Sequence, residues 1–599
     1  MSTPRPARLI ALAVTVALVP APPLRAQGRT PDTPTTASKP VAAWVAKSNA
    51  LAKIWLEAQA KLSPEGAGQS GVDGLDEAIT DITPGFRERA TATVEAARKT
   101  LQEKLAAETD PQVKQDLAIM IKDADDSLEG FAVQRKYFVP FFNVAGSVFG
   151  GLRSLLDDQV PAPRRQAALV RLKKYVGAGD AAKGFAALAE ADIKARMNEP
   201  GLLFPAKAAV DRAMADSQAF VDGIPALFDK YGVKGYEADF ASFKQQLAAY
   251  DTFVKTAIVP KARTDFRLPP EVYARNLRQF GVDIPPAQLT KIAHDAFDAI
   301  QKEMTALAPE VAKANGWTVT DYRDVIRELK KKQLVGEAIL PHYQSRLKDL
   351  EAIITREKLV TLPSRPARIR LASPAETAAS PAPNMRPPRL VGNTGEQGEF
   401  VLPLNVPSTD GTTQKTDDFT FEAASWTLTA HEARPGHEMQ FAGIVEAGVS
   451  TARVLFSFNS TNVEGWGLYA ERIVQPFMPP EGRLISLQHR LLRAARAYLD
   501  PELQQGTVTP DQAFKVLTDQ VVVSQAMARQ EVDRYTFRAP GQATSYFYGF
   551  TRLNALRAEV EKALGPKFNQ QQFHDAILAQ GLLPPDLMRE AIMKHFGVR

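Results

Sequence analysis

Apolar residues recur at three- and four-residue intervals along most of this chain, as at Trp44, Leu51, Ile54 and Trp55 and again at Val113, Leu117, Ile121 and Leu128. Side chains three or four places apart return to the same face of a helix, so this spacing fills one buried stripe. The two-residue alternation of a half-buried strand is scarce. Helix starts are punctuated by T-D-P-Q-V near Asp110 and N-E-P-G near Pro200, and residues 292–304 read as an amphipathic helix. No fixed-period repeat is evident. The exception is residues 361–404, dense in Pro and Ser, which hold two strand-like segments, A-R-I-R-L-A at 367–372 and G-E-F-V-L-P-L at 398–404. The expected fold is mostly α, a large set of packed antiparallel helices with a small antiparallel β ribbon.

The N-terminus carries Arg5 and Arg8, an apolar run from Leu9 to Val19, then P-A-P-P-L-R-A-Q. That order is a secretory signal with small residues near the cut, and the run is shorter than the roughly 20 residues a membrane span needs. Residues 1–27 are therefore expected to leave as a signal peptide. The polar stretch 28–40 would follow as a flexible linker, a helical region as 41–260, and a catalytic region as 261–599 with 361–404 inserted in it. Losing Arg5, Arg8 and Arg25 removes three positive charges from a formal +5, which leaves no net basic field for nucleic acid. The chain has 0 cysteines, so disulfides, thiolate metal sites and a lipidated cysteine anchor are excluded. A secreted or periplasmic protein with no stable membrane anchor is expected.

Any metal site must then use His, Asp or Glu, and A-H-E-A-R-P-G-H-E-M-Q (430–440) followed by N-V-E-G-W-G-L-Y-A-E (462–471) supplies those donors. Two neutral imidazoles, His431 and His437, with one carboxylate from the second segment and an open position make a catalytic Zn²⁺ site. Glu432 would be the base; Glu438 competes weakly for that role. The interval between the histidines is six, whereas H-E-x-x-H returns the second imidazole to the same face after four. On an undisturbed helix the two would point about 120° apart. Pro435 removes a donor and Gly436 tolerates unusual backbone angles, so a bulge or kink within a helix spanning 421 to about 445 is expected to bring them together. Glu464 and Glu471, on a second helix within 451–477, lie seven apart on one face two turns from each other, so only one of them would touch the ion.

The motifs H-E-A-R-P-G-H-E-M-Q and E-G-W-G-L-Y-A-E resemble those of the domain-of-unknown-function 885 proteins, which look like distant relatives of the zinc metallopeptidases. The resemblance extends to R-L-P-P-E-V-Y (267–273), D-R-Y-T-F-R-A-P-G-Q-A-T-S-Y (533–546) and F-H-D-A-I-L-A-Q-G-L-L-P (573–584). A more distant likeness is to helical metallocarboxypeptidases of the carboxypeptidase Taq type, in which the glutamate ligand follows an H-E-x-x-H helix. The resemblance implies a metallopeptidase-like fold. Spacing together with the E-G-W context selects Glu464 as the third ligand, leaving Glu471 to hold a ligating histidine by its free ring nitrogen. The class also implies an edge strand near the metal that holds a substrate backbone, for which a plain structural hairpin is an equal alternative.

Downstream, Tyr546 is the candidate donor toward a developing oxyanion, with Tyr548 behind it, and Arg534 and Arg552 are candidates for a substrate carboxylate. Core packing and ion pairing are the competing roles for these four. His294, His342, His489, His574 and His595 lack a ligand pattern and are taken as structural. The expected function is a zinc-dependent peptidase in which Glu432 assists the attack of metal-activated water on a peptide substrate. The alternatives are a zinc hydrolase of another amide or ester, and a metal-free helical binding protein in which the motif is a helix cap and a solvated acidic face.

Overall fold

The spacing of apolar residues is realised as helices α1 (Ala43–Leu62), α2 (Phe86–Ala107) and α3 (Pro111–Tyr137), then α4 (Pro286–Ala314) and α5 (Ile339–Arg356). The computed structural model describes residues 42–598 apart from 179–182, 381, 404, 408–412 and 416. The expected signal peptide (1–27) and linker (28–40) lie outside the described residues. Asp110 starts α3 as a side-chain cap, its Oδ1 accepting from Gln112 N at 2.8 Å, with Pro111 at the first helical position.

A small sheet follows, from β1 (Arg368–Leu371), β2 (Asn384–Arg386) and β3 (Glu399–Leu402). The two segments read as strands do pair, but parallel, with Ile369 opposite Phe400. The antiparallel partner of β3 is β2, three residues within the proline-rich chain that was read as a connection, so the sheet is mixed, in the order β1-β3-β2. Prolines on both sides hid β2. A separate antiparallel pair joins Asn405–Pro407 to Thr413–Lys415.

After the sheet come α6 (Glu422–Glu432), α7 (His437–Ala447), α8 (Ser460–Val474), α9 (Pro480–Gln505), α10 (Gln525–Asp533), α11 (Thr544–Leu564), α12 (Gln570–Ala579) and α13 (Pro585–His595). Among the described residues three large apolar clusters, with a small fourth around Phe441 and Leu582, hold the helices together. One packs Leu289, Ala293, Phe297 and Ile300 of α4 against Leu484, Leu487, Leu491 and Tyr498 of α9. Each large side chain so buried contributes roughly 1.5–3 kcal/mol. A second lies almost wholly within the N-terminal helices. The third crosses between the two expected regions, joining Trp55 of α1 and Leu117 of α3 to Trp466 of α8, Leu556 of α11 and Phe573 of α12. The N-terminal helices thus brace α8 and α11 from behind. Among the described residues no helix is long and apolar enough to cross a membrane.

Candidate metal centre

The chain around the two histidines is two helices, where one kinked helix was expected. α6 ends one residue after His431 and α7 begins at His437, so four residues, 433–436, leave the helical path. Ala433 sits at φ −105°, ψ −100° and Gly436 at φ −79°, ψ −133°, and the Arg434–Pro435 peptide is cis. A Cβ on Gly436 would lie 1.9 Å from His431 O, so the tight return needs glycine. The Trp466 indole N–H fastens the break from outside, donating to Pro435 O at 3.0 Å and Gly436 O at 3.3 Å.

This break turns the imidazoles toward each other, with ring centroids 4.6 Å apart and planes at 82°. Glu464 Oε2 lies 3.5 Å from His431 Nε2 and 3.3 Å from His437 Nε2, and the three donor atoms are all within 4.8 Å of one another. Ligand atoms about 2.0–2.2 Å from a tetrahedral ion stand about 3.3–3.6 Å apart, so the spacing suits Zn²⁺. Glu464 Oε2 and His437 Nδ1 are buried with no hydrogen-bond partner among the described residues. A buried carboxylate oxygen left in this way is costly unless a cation meets it, and the donor set therefore fits the metal.

Glu471 lies against His431. Its Oε1 is 2.7 Å from His431 Nδ1, and its Oε2 accepts from Thr427 Oγ1 at 2.6 Å. Accepting from Nδ1–H fixes the tautomer that leaves the Nε2 lone pair facing Glu464 and His437. Burial opposes ionisation of Glu471, but Arg493 and His431 outweigh it and hold the pKa at about 2. Burial likewise works against Glu464, and the two imidazoles hold it well below the ordinary range. Glu432 is different: burial pushes it up to about 8, with His437 opposing and Glu464 adding to the rise.

Two glycines make the site possible. A Cβ on Gly467 would stand 2.7 Å from His431 Cε1 and 2.8 Å from His437 Cε1, so both imidazoles rest on a bare turn of α8. On the nearly opposite face of α8, Gly465 meets Gly549 of α11, where a Cβ would come within 2.7 Å of the Gly549 Cα. That backbone contact brings α11 close enough for Tyr546 to stack on His431 at 6.3 Å and 16°. Burial and the adjacent Glu464 push the Tyr546 hydroxyl's pKa up, so it remains a donor.

His431, Glu432, Arg534 and Tyr546 line one cavity. Tyr548 and Arg552 are not part of it. Residues two apart on a helix point to nearly opposite sides, so Tyr548 faces away from Tyr546, bonding Asp283 and accepting from Arg552 Nη1 at 2.8 Å. Arg552 pairs with Asp586 beside a separate cavity between α8, α11 and α13. Glu438 is taken up by Arg434 Nε at 2.7 Å, which removes it as a base. The pattern is not a solvated acidic face, since His431, Glu432, His437 and Glu471 are all buried.

Sequence reasoning missed the cavity wall on α9, formed by Gln488, His489, Arg493 and Arg496. The signal was present: L-L-R-A-A-R-A-Y-L places two arginines three apart on an otherwise apolar helix, and both are buried. His489, read as structural, belongs to that wall. The remaining histidines are otherwise engaged, His294 with Glu502, His342 with Ser425 and His574 between Tyr469 and Leu359 O, while His595 packs on Phe596.

The fold recurs in solved structures. A "putative lipoprotein" from Colwellia psychrerythraea is 20% identical, with a TM-score of 0.73 over 92% of this chain and 99% of that one. A "putative lipoprotein of unknown function" from Shewanella oneidensis is also 20% identical, with a TM-score of 0.66 over 92% of this chain and 100% of its own. No curated protein matches the chain. The model for "Bacterial protein of unknown function (DUF885)" matches residues 64–592, and the chain belongs to that family.

Proposed function

We propose that the chain is a metal-dependent hydrolase acting on peptides, with Zn²⁺ held by His431, His437 and Glu464. The observation that carries this reading is the convergence of three donor atoms within 4.8 Å, in a buried setting where Glu464 Oε2 has no hydrogen-bond partner among the described residues. When bound, the ion supplies Lewis acidity toward water and a substrate carbonyl. Glu432 accepts a proton at its carboxylate and returns it to the leaving amine; following His431 directly, it lies beside the donors without being one of them. Glu471 holds His431 in its tautomer. Tyr546 donates its hydroxyl proton toward negative charge that builds on the carbonyl oxygen. His431, Glu432 and Tyr546 are themselves buried, which strengthens each of these interactions.

The signal-like order of the N-terminus supports work outside the cytoplasm, and the two similar structures carry the word lipoprotein in their descriptions. Metal analysis of the purified protein beside a mixed peptide panel tests the proposal. About one zinc per chain and zinc-dependent cleavage are expected. A protein that hydrolyses esters or other amides but no peptide moves the substrate class. One that contains no metal and cannot be loaded removes the enzyme reading and leaves a helical binding protein.

A further inference from the structure

Three arginines line or flank the cavity that holds Glu432: Arg493 and Arg496 from α9, and Arg534 just after α10. Their guanidinium carbons lie 5.9, 4.6 and 5.9 Å from the Tyr546 ring centroid, so all three crowd one side of the candidate site. Their partners are unequal. Arg496 is fully engaged, its Nε and Nη2 both donating to Glu531 at 2.7 Å, and Tyr535 uses Glu531 as well. Arg534 reaches the same carboxylate only at 4.0 Å; its Nη1 is buried with no hydrogen-bond partner among the described residues. Arg493, with 7% of its side chain exposed, stands 3.4 Å from Glu471 and donates Nη1 to His489 O at 3.2 Å, and its Nε has no hydrogen-bond partner among the described residues. Glu531 meets Arg496 and Glu471 stands near Arg493, so Arg534 is the guanidinium of the three left without a close carboxylate among the described residues, and it is a planar fork of the kind that binds a carboxylate through two parallel bonds. A cavity of about 80 Å³ beside them has room for a small polar group.

Resting on the peptidase reading above, we propose that the substrate presents a carboxylate to Arg534 and Arg493, one residue or so from the bond that Glu432 and the metal ligands attack. The carboxylate supplies the missing partner for Arg534, and its seat fixes which bond is cut. The same chemistry can come from a free chain terminus or from an acidic side chain.

Calorimetry on the metal-free protein distinguishes the sources with three probes: an N-acetyl dipeptide as free acid, the same dipeptide as its C-terminal amide, and an amidated dipeptide ending in glutamate. The free acid should bind at least about 10-fold tighter than the neutral amide, the margin of a charge-assisted bond. Arg534→Gln should abolish that preference while Arg534→Lys, which keeps charge without the fork, restores part of it; circular dichroism confirms that both variants fold. Glutamyl amide binding as tightly as the free acid assigns the seat to a side chain. Equal or undetectable binding of all three probes, or an undiminished preference in the Gln variant, overturns the proposal. Hydrolysis by the zinc-loaded protein is followed in parallel. Acid-selective binding without any cleavage refutes the peptidase reading and leaves the carboxylate seat standing, whereas equal kcat/KM for acids and amides refutes the seat and leaves the peptidase.

Discussion

Gly467 lies directly against His431: a Cβ there would stand 2.7 Å from the imidazole Cε1 and 2.9 Å from Nε2. Since real Cβ contacts do not approach so closely, Gly467→Ala must push both imidazoles off α8. The change sits on a helix where alanine is favoured, so backbone stability should alter by less than about 1 kcal/mol while ligand geometry moves. Zinc affinity is expected to fall roughly 10- to 100-fold, as when a ligand's support is lost. Metal titration beside a thermal melt separates the two effects; unchanged affinity would mean the histidines are not the ligands.

Glu471→Gln tests the orientation of His431. The amide keeps the size and can still meet Thr427, but it loses the charge that Nδ1–H donates to at 2.7 Å. A drop in zinc affinity of roughly 10- to 100-fold is expected, with the ion still bound at saturating metal. A variant with parental affinity shows that the Glu471 contact is packing alone.

The donors of this centre were legible in the sequence, and their geometry was not. Residue types and spacing singled out His431, His437, Glu464 and Glu471, because few arrangements of a cysteine-free chain collect such groups. The break at 433–436 depends on Gly436 approaching His431 O and on Trp466, a residue 30 places away, fastening it from another helix. Local propensity carries no trace of such a clamp. Tyr548 is a simpler case: two residues from Tyr546 on one helix, it is turned to nearly the opposite side. Arg493 and Arg496 were hidden because an amphipathic pattern assigns charges to solvent by default, whereas tertiary packing buries them, Arg493 beside Glu471 and Tyr546 and Arg496 beside Glu531 and Tyr546. The sheet misled for want of β2, whose proline-flanked residues resemble a turn.

Glu432→Gln separates metal binding from proton transfer. The amide retains shape next to His431 yet cannot accept a proton, so about one zinc per chain should remain while peptide hydrolysis falls at least about 100-fold. His437→Ala and Glu464→Ala should lose the metal, since three protein ligands are the usual set for a catalytic zinc. Parental rates in the Gln variant exclude Glu432 as the base.

Outside the metal centre, Asp123 of α3 receives the Trp55 indole N–H at 2.6 Å, and this bond joins α3 to α1. Burial raises its pKa from 3.8 to about 6, despite the Trp55 bond, and nearby Asp126 adds to the rise. The folded chain therefore holds a proton that the unfolded chain releases at about 3.8. Stability from this group is fully present below that value and is lost as pH rises through about 6, by roughly 1–3 kcal/mol. Asp123→Asn keeps an acceptor for Trp55 and carries no charge at any pH. Melting temperatures of parent and variant should thus shift in the variant's favour between pH 4 and pH 7. Titration of the metal-site carboxylates affects both proteins alike and cancels in that difference. Parallel melting curves across the range would show that Asp123 is ionised in the fold, with solvent reaching it beside Trp55.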